Sequence, residues 1–330
     1  MAQPGGVPLE RGITDPLDAL WTREPDSVRR TVTITAAPIN GWDGGYHVVG
    51  IARDIVIGPD RSIQLEQAAR LVANMDPIGK VKTMTVTDAS GPRNLTDLVV
   101  GRNIGAGWRS ILAKFDDPVA DDSLAGALLD DMSGIRHVAG YGRITAGPQP
   151  LGFLAGSPQI GTCAGWMAGG VAANASEVSI LGDLPWAPSM EQLVTDEGDW
   201  HQEESASPGS MQRRRLLDVR PVQGGGTELR MWFRDSRFAG SDDDRGLHEY
   251  VVLGRLDASG LLAGAKAQPR SLPMGDCPLA AEHVSLLDGR PVDRIDEGVR
   301  AHLRGELGCT HLNDAMRFLR SAKPMLNLLS

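Results

Sequence analysis

Cysteine and histidine residues that could support chemistry are concentrated near the C-terminal end of the sequence. Cys277 precedes a predicted helix, and the run Gly308–Asp314 places Cys309 and His311 at the start of the last predicted helix. A thiol at a helix N-terminus faces unpaired N–H groups and the positive end of the helix dipole, which lower its pKa and favour the thiolate. Both cysteines are therefore expected to be able to bind a metal or to act as nucleophiles.

Two interpretations of this group remain open. In the first, Cys277, Cys309 and His311 form a metal or nucleophile site, with His248 as a fourth ligand because zinc normally takes four. In the second, the two cysteines are small buried residues beside a helix that is capped by Thr310. The expected cofactor is accordingly either none or a single divalent metal.

Two Arg-Asp dipeptides provide candidate acids and bases. Arg53-Asp54 and Arg234-Asp235 occupy matching positions in predicted strands. Asp54 and Asp235 could present carboxylates across a pseudo-twofold interface for acid–base catalysis. Alternatively, each dipeptide forms a structural salt bridge.

A third candidate pair lies in the middle of the chain. Cys163 is surrounded by small residues that permit close backbone approach, and His201 follows Asp199, a carboxylate that could tune a general base. Cys163 and His201 would form a nucleophile and its base if the fold brings them together.

The elements that position these residues belong to two divergent copies of one module. Residues 46–54 match residues 227–235 at an offset of 181 (235 − 54), and the turn 76–79 matches 257–260 at the same offset. After small insertions, the alignment continues at an offset of 188 (289 − 101). Such internal duplication changes the interpretation of every candidate residue.

The two copies differ in the chemistry that they carry. Where the second copy has Cys277, Cys309 and His311, the first has Gly91, Asp121 and Ser123, respectively. A functional site is therefore expected on the second copy and beneath the segment that connects the copies.

Each copy is predicted to consist of antiparallel strands followed by helices. Alternating or β-branched sequence predicts strands at 32–35, 46–57, 67–74 and 81–87. Helices are predicted at 95–100, 108–115, 124–132, 279–286, 296–304 and 312–319. The predicted fold class is α+β, an internal duplication of an antiparallel-sheet module with helices on one face.

The predicted domain organisation has four parts. Residues 1–28 form an N-terminal extension, 29–135 the first, degenerate copy, 136–212 a Gly/Pro-rich linker that packs on both copies, and 213–330 the second copy. A linker of this length is expected to be functional or to wrap over the modules, because long structureless loops are uncommon inside compact proteins.

Composition excludes several classes of protein. The net charge of −9 argues against nucleic-acid binding, which needs a clustered excess of Lys and Arg, and the basic run 213–215 is too short to change this. The N-terminus resembles no secretion signal and no stretch is apolar enough to span a membrane, so a cytoplasmic location is expected. Walker, GxGxxG, HExxH and GxSxG motifs are absent from the sequence.

The residues from Cys277-Pro278 through Gly308-Cys309-Thr310-His311-Leu312 resemble the signature of an uncharacterised bacterial family, a domain of unknown function. The resemblance covers about residues 211 to 320 and implies no established reaction. A more distant resemblance is to iron–sulfur cluster assembly scaffold proteins, in which Cys277 and Cys309 fall on two ligand positions. At the third position this chain has about Gly246, two residues before His248.

Two functions are therefore expected as alternatives. The first is a small-molecule metabolic enzyme that uses acid–base chemistry on a largely apolar metabolite, in the lyase, hydratase or isomerase range. Its candidate residues are Asp54, Asp235, His201, His311 and Cys163, in a closed site between the copies. The second is a non-catalytic metal-binding or iron–sulfur-scaffold-like protein that uses Cys277, Cys309, His311 and His248.

Overall fold

The computed structural model describes residues 12–105, 107–115, 123–145, 159–174, 184–240 and 244–329. Asp121, one of the first-copy counterparts, lies outside them. Strands of the first copy are β1 (Ser27–Pro38), β2 (Tyr46–Ile57), β3 (Ile63–Met75), β4 (Val81–Asp88) and β5 (Gly91–Asn94). A short strand β6 (Trp186–Ala187) precedes the strands of the second copy, which are β7 (Met211–Pro221), β8 (Thr227–Phe238), β9 (Asp244–Leu256) and β10 (Leu262–Ser271).

All of these strands belong to one antiparallel sheet. Its order is β10-β9-β8-β7-β1-β2-β3-β4-β5, and β6 pairs with β9. The two copies meet where β1 pairs with β7, with Val32 opposite Arg215. Each copy repeats the same register, since Asp54 lies opposite Gln67 in the first and Asp235 opposite His248 in the second.

Helices follow the strands of each copy. They are α1 (Thr96–Val99), α2 (Trp108–Leu112), α3 (Leu124–Thr145), α4 (Val171–Asn174), α5 (Met190–Leu193), α6 (Leu279–Glu282), α7 (Ile295–His302), α8 (Thr310–Phe318) and α9 (Ala322–Leu326). The predicted α+β class is confirmed, as an antiparallel sheet packed against helices. No helix within the described ranges combines the length and apolarity needed to cross a membrane.

The turn that connects the third and fourth strands is the same in both copies. The carboxylate of Asp76 accepts hydrogen bonds from the backbone N–H groups of Ile78 and Lys80, and Asp257 accepts them from Ser259 and Leu261. Glycines 79 and 260 close these turns with φ of +84° and +78°, a conformation that favours glycine.

Helix α3 extends well beyond its predicted end at residue 132. It continues to Thr145, into the segment predicted to be linker. The helix contains Gly134, Gly140 and Gly142. Because glycine has a low helix propensity, the sequence does not indicate that the helix continues through these residues. Gly142 permits close packing, because a methyl group there would lie 2.3 Å from the Trp42 ring.

The two faces of the sheet bury different sets of side chains. Alternate residues such as Val32 and Ile34 face the helices and join the main hydrophobic core. On the opposite face, a smaller cluster contains Leu216 and Trp232 together with Leu20 and Leu193. That second face is covered by the N-terminal segment and by residues that precede β7.

Candidate active site

A cavity of about 360 Å³ lies on the helix-covered side of the sheet, and three parts of the chain line it. The end of α3 contributes a wall from the first copy, residues 159–166 contribute another, and the second copy contributes the rest. The lining residues are Arg136, His137, Gly140, Tyr141, Gln159, Thr162, Cys163, Gly165, Trp166, His248, Met274, Cys277, Cys309, Thr310 and His311.

His311, in the first turn of α8, is bound to a carboxylate behind the cavity wall. Its Nδ1 lies 2.5 Å from Oδ2 of Asp235 on β8, and both side chains are buried. Burial alone would raise the pKa of Asp235, but Arg213 and His311 hold it well below its usual range. Asp235 is therefore ionised at neutral pH and can only accept hydrogen bonds.

This contact determines the tautomer of His311. The ionised carboxylate of Asp235 is closer to Nδ1 than Nη2 of Arg213, which lies 3.3 Å away, so Nδ1 carries the proton and donates a hydrogen bond to Asp235. In the neutral ring the lone pair then belongs to Nε2, on the far side of the imidazole. A carboxylate that orients a histidine in this way, and stabilises its protonated form, is a common arrangement for a general base.

Asp235 is held in turn by Arg213 of the adjacent strand β7. The guanidinium donates from Nε to Oδ1 at 2.7 Å and from Nη2 to Oδ2 at 3.0 Å. Its remaining Nη1 donates to Asp314 of α8 at 2.9 Å and lies 3.8 Å from Asp131 of α3. Carboxylates from β8, α8 and α3 thus surround one buried arginine. They compensate the charge of its guanidinium and hold the group in one orientation.

Space for this guanidinium is provided by Gly134 of α3. A methyl group at that position would lie 1.5 Å from Nη1 of Arg213 and 3.1 Å from Oδ2 of Asp314. A glycine in the middle of a long helix is otherwise unfavourable. Here it allows the helix of the first copy to approach the charged residues of the second.

His248 of β9 stacks on His311. The ring centres are 3.6 Å apart with an interplanar angle of 12°. Tyr141 of α3 contacts both rings, at 5.7 Å from His248 and 6.1 Å from His311. His248 is buried, its Nδ1 has no hydrogen-bond partner among the described residues, and burial holds its pKa well below the usual value. The ring is therefore neutral at physiological pH.

Asp235, His248 and His311 are close enough to be tested as a metal site, since their ligand atoms all lie within 4.8 Å of one another. Two imidazoles that bind one metal at about 2.1 Å have their ring centres about 4.5 Å apart or more. The observed parallel stack at 3.6 Å is closer than this. Both oxygens of Asp235 are also engaged by Arg213. The arrangement fits a hydrogen-bonded acid–base site better than a metal site.

The three thiols line the same cavity, but they are not activated as predicted. Burial raises the pKa of Cys277 and Cys309, and it raises the pKa of Cys163 to about 11. The expected lowering at the helix N-terminus is therefore wrong in direction, because desolvation of the thiolate outweighs the nearby backbone N–H groups. Within the described residues, no cysteine joins a group of three metal-binding atoms.

Asp54 occupies the equivalent position to Asp235 but does not reach the cavity. Arg30 of β1 donates to its two oxygens at 2.7 and 2.8 Å. The two Asp residues thus form equivalent salt bridges rather than one shared site. Their partners lie on the neighbouring strand and not in the same dipeptide, because successive residues of a strand point to opposite faces. Arg53 and Arg234 accordingly face the other side of the sheet.

The structure does not bring Cys163 and His201 together. His201 lies on the opposite face of the sheet, where Nδ1 and Nε2 are each 2.9 Å from the hydroxyls of Thr31 and Thr33. Thr33 donates its proton to Glu203, so it accepts one from Nε2 of His201, and Nδ1 accepts from Thr31. Both nitrogens are thus satisfied within the protein, and burial lowers the pKa of His201 to about 4.

The carboxylate next to His201 in sequence is engaged elsewhere. Asp199 forms ion pairs with Arg23 and Arg29 at 2.5 and 2.9 Å. It therefore does not orient the imidazole as the sequence suggested. The arrangement of His201 and Asp199 attaches the connecting segment to the sheet.

Sequence reasoning misses several residues that build the site. Arg213 belongs to what reads as a short basic run, although Arg213, Arg214 and Arg215 are all buried and face carboxylates. Three adjacent arginines within a strand are a signal, because an interior strand must pair such charges. Tyr141 is not identified as a site residue from sequence, because α3 is predicted to end before it.

Comparisons with known proteins give a match to the C-terminal part of the chain. Residues 211–324 match a family described as a protein of unknown function (DUF2889). No curated protein matches the chain. The matched residues include Arg213, Asp235, His248 and His311, whereas Tyr141 and Cys163 lie outside the match.

Proposed function

We propose that the protein is an enzyme that uses acid–base chemistry on a small, largely apolar molecule, in the lyase, hydratase or isomerase range. His311 acts as the general base through Nε2, and Asp235 orients it and stabilises its protonated form. The observation that carries this proposal is the 2.5 Å contact between Nδ1 of His311 and the ionised Asp235, at the wall of a cavity.

The surroundings of the two residues support the same role. Arg213 holds Asp235 through two hydrogen bonds, so the carboxylate is preorganised before any substrate binds. Trp166, Met274 and Tyr141 provide apolar surface in the cavity, and no Asp or Glu is among its described lining residues. Such a site suits a molecule with an apolar body and a few polar atoms.

The proposal is tested by exchange of substrate C–H hydrogens for deuterium from solvent. This exchange can be measured on the substrate even when the product of the full reaction is unknown. Small carbonyl compounds and hydroxy acids are incubated with the protein in D₂O, and loss of C–H signals is followed by NMR. We expect exchange that is slowed by about 10²- to 10⁴-fold in His311→Gln, the usual contribution of a general base. The control His302→Gln changes an imidazole that pairs with Arg290 in exposed surroundings. The proposal is contradicted if the protein accelerates exchange of none of the compounds. It is also contradicted if the exchange rate in His311→Gln equals that of the natural protein.

Metal or cluster binding, as in the distant resemblance to iron–sulfur scaffolds, is the second candidate function. It is supported by the presence of Cys163, Cys277, Cys309, His248 and His311 around one cavity. It requires the two imidazoles to separate from their stack. Metal analysis of anaerobically purified protein tests it, with stoichiometric zinc or iron that is lost in Cys309→Ser as the supporting result. Metal-free protein contradicts it.

A further inference from the structure

His248 has no role in the acid–base chemistry described so far, although it lines the cavity. It is only 3% exposed, it stacks in parallel on His311, and its Nδ1 has no partner among the described residues. Nδ1 is closed off from the cavity and has no acceptor there among the described residues, so the proton of the neutral ring is assigned to Nε2, and the ring lines the cavity where a bound molecule could accept a hydrogen bond from it. In the first copy the same register position holds the exposed residue Gln67.

We propose that His248 donates a hydrogen bond to a carbonyl oxygen of the substrate while His311 removes a proton from the neighbouring carbon. The substrates are thus small carbonyl compounds with an apolar body. This inference rests on the proposed function and specifies its substrate class.

The stacking geometry supports this division of roles. The parallel rings have centres 3.6 Å apart, a nitrogen of His248 lies within 4.8 Å of a nitrogen of His311, and both residues line the cavity. A carbonyl oxygen and a C–H bond on the adjacent carbon are close enough together to face two neighbouring nitrogens. One bound molecule can therefore face both rings at once, with its oxygen toward His248 and its C–H bond toward Nε2 of His311.

The electrostatic surroundings favour a neutral donor at His248. The groups around the stack are the ionised Asp235, the guanidinium of Arg213, the ring of Tyr141 and the protonated thiols of Cys277 and Cys309. Burial disfavours the charged imidazole, and the neighbouring His311 and Arg213 add to this effect, so His248 remains neutral and still presents one N–H. A fixed neutral donor stabilises the negative charge that develops on an enolate oxygen.

The proposed step is balanced within the substrate and the two residues. The C–H bond breaks, and its proton moves to Nε2 of His311. The electron pair forms a C=C bond, and the carbonyl π electrons move onto oxygen, which accepts the hydrogen bond from His248. Return of the proton, or of a deuteron from solvent, to a carbon atom completes exchange or isomerisation without an oxidant or reductant.

Binding of two related aromatic probes tests the role of His248 separately from catalysis. Acetophenone has a carbonyl oxygen that ethylbenzene lacks, and their affinities for the full-length protein are measured by NMR titration. We expect the ratio of the two affinities to fall by about tenfold in His248→Phe, which keeps a stacking ring but has no N–H. His248→Asn, which retains an N–H donor, is expected to recover part of the ratio.

The outcomes separate this inference from the proposed function. An affinity ratio that falls in His248→Phe and persists in His311→Gln supports carbonyl recognition, even if exchange proves independent of His311. A ratio unchanged in both His248 variants overturns the inference, while loss of exchange in His311→Gln would still support the base. Stoichiometric metal that is lost in both His248 variants also overturns it. Thermal unfolding of each variant confirms that the protein compared is folded.

Discussion

Nδ1 of His311 lies 2.5 Å from the carboxylate of Asp235, although 76 residues separate them in the chain. The contact joins the first turn of α8 to the middle of β8. Arg213 completes it from β7, so three elements of the second copy converge on one imidazole ring. A ring held this firmly needs little reorganisation when a substrate binds.

The equivalent residues Asp235 and Asp54 allow a matched comparison. Each forms a buried, two-point salt bridge with an arginine of the adjacent strand. Replacement of either by Asn removes the carboxylate charge that pairs with a buried guanidinium. Both variants are therefore expected to lose about 3 kcal/mol in the free energy of unfolding. Urea denaturation measures this loss.

Only one of the two variants should affect chemistry. Asp235→Asn is expected to slow C–H exchange by about 10²-fold or more, because the neutral amide no longer fixes the tautomer of His311 or stabilises its cation. Asp54→Asn should leave exchange unchanged. Equal loss of exchange in both variants would show that stability, rather than orientation of His311, limits the activity.

Gly134 and Gly140 provide a second comparison, on the same helix. Gly-to-Ala changes inside helices usually stabilise them by about 0.5 to 1 kcal/mol, which is expected for Gly140→Ala because nothing lies within 4 Å of the added methyl group. Gly134→Ala should instead lower the free energy of unfolding by about 2 kcal/mol, since the methyl group displaces Arg213. Urea denaturation of both variants is the measurement. A stabilised Gly134→Ala would mean that α3 can move away from β7.

His201 should make stability depend on pH in the mildly acidic range. Burial lowers its pKa to about 4 in the folded state, against about 6.5 in the unfolded chain, with Glu203 opposing this shift and Arg53 and Arg214 assisting it. The folded state therefore binds fewer protons, and the stability contribution is complete above pH 6.5 and lost as pH falls toward 4. The loss is expected to be about 3 kcal/mol.

Urea denaturation between pH 7 and 4 measures this effect. His201→Gln should be less stable than the natural protein at pH 7, and the difference should shrink as pH falls. His302→Gln, which changes a histidine on α7, should keep the natural pH dependence. Parallel pH profiles for the natural protein and His201→Gln would rule out the expected role of His201.

Tyr141 is one of the residues that α3 contributes to the cavity wall. Its ring contacts both His248 and His311. Tyr141→Phe keeps this ring and should bind ethylbenzene normally, whereas Tyr141→Ala removes apolar contact area and should weaken binding by about tenfold. NMR titration distinguishes the two. Unchanged affinity in Tyr141→Ala would exclude α3 from the binding site.

The fold could be predicted further than the site. Alternating strands, the Asp-Gly turns and the repeat at an offset of 181 depend on local sequence, and they indicate the α+β class. The prediction that α3 ends at residue 132 is wrong, because Gly134 is required by Arg213 and not by the helix itself. The local sequence does not show that a glycine is required by a contact with a distant part of the chain.

The candidate site could be predicted only in part, because it is built by contacts between distant parts of the chain. His311, Asp235 and His248 can each be identified from sequence, but in separate roles, since only the pairing of β7, β8 and β9 joins them. Spacing cannot show that His201 and Cys163 lie on opposite faces of the sheet. The predicted direction of the thiol pKa is wrong because burial is a property of the complete fold.

Pairing of β1 with β7 leaves neither copy with a complete surface of its own. Excision of the second copy would uncover the backbone N–H and C=O groups along β7 and would separate Arg213 and Arg215 from Asp131. An isolated second copy would need a strand from another polypeptide to saturate that edge. The first copy therefore completes the sheet edge and the buried charge pairs of the second, although it lacks the cysteines and the histidine.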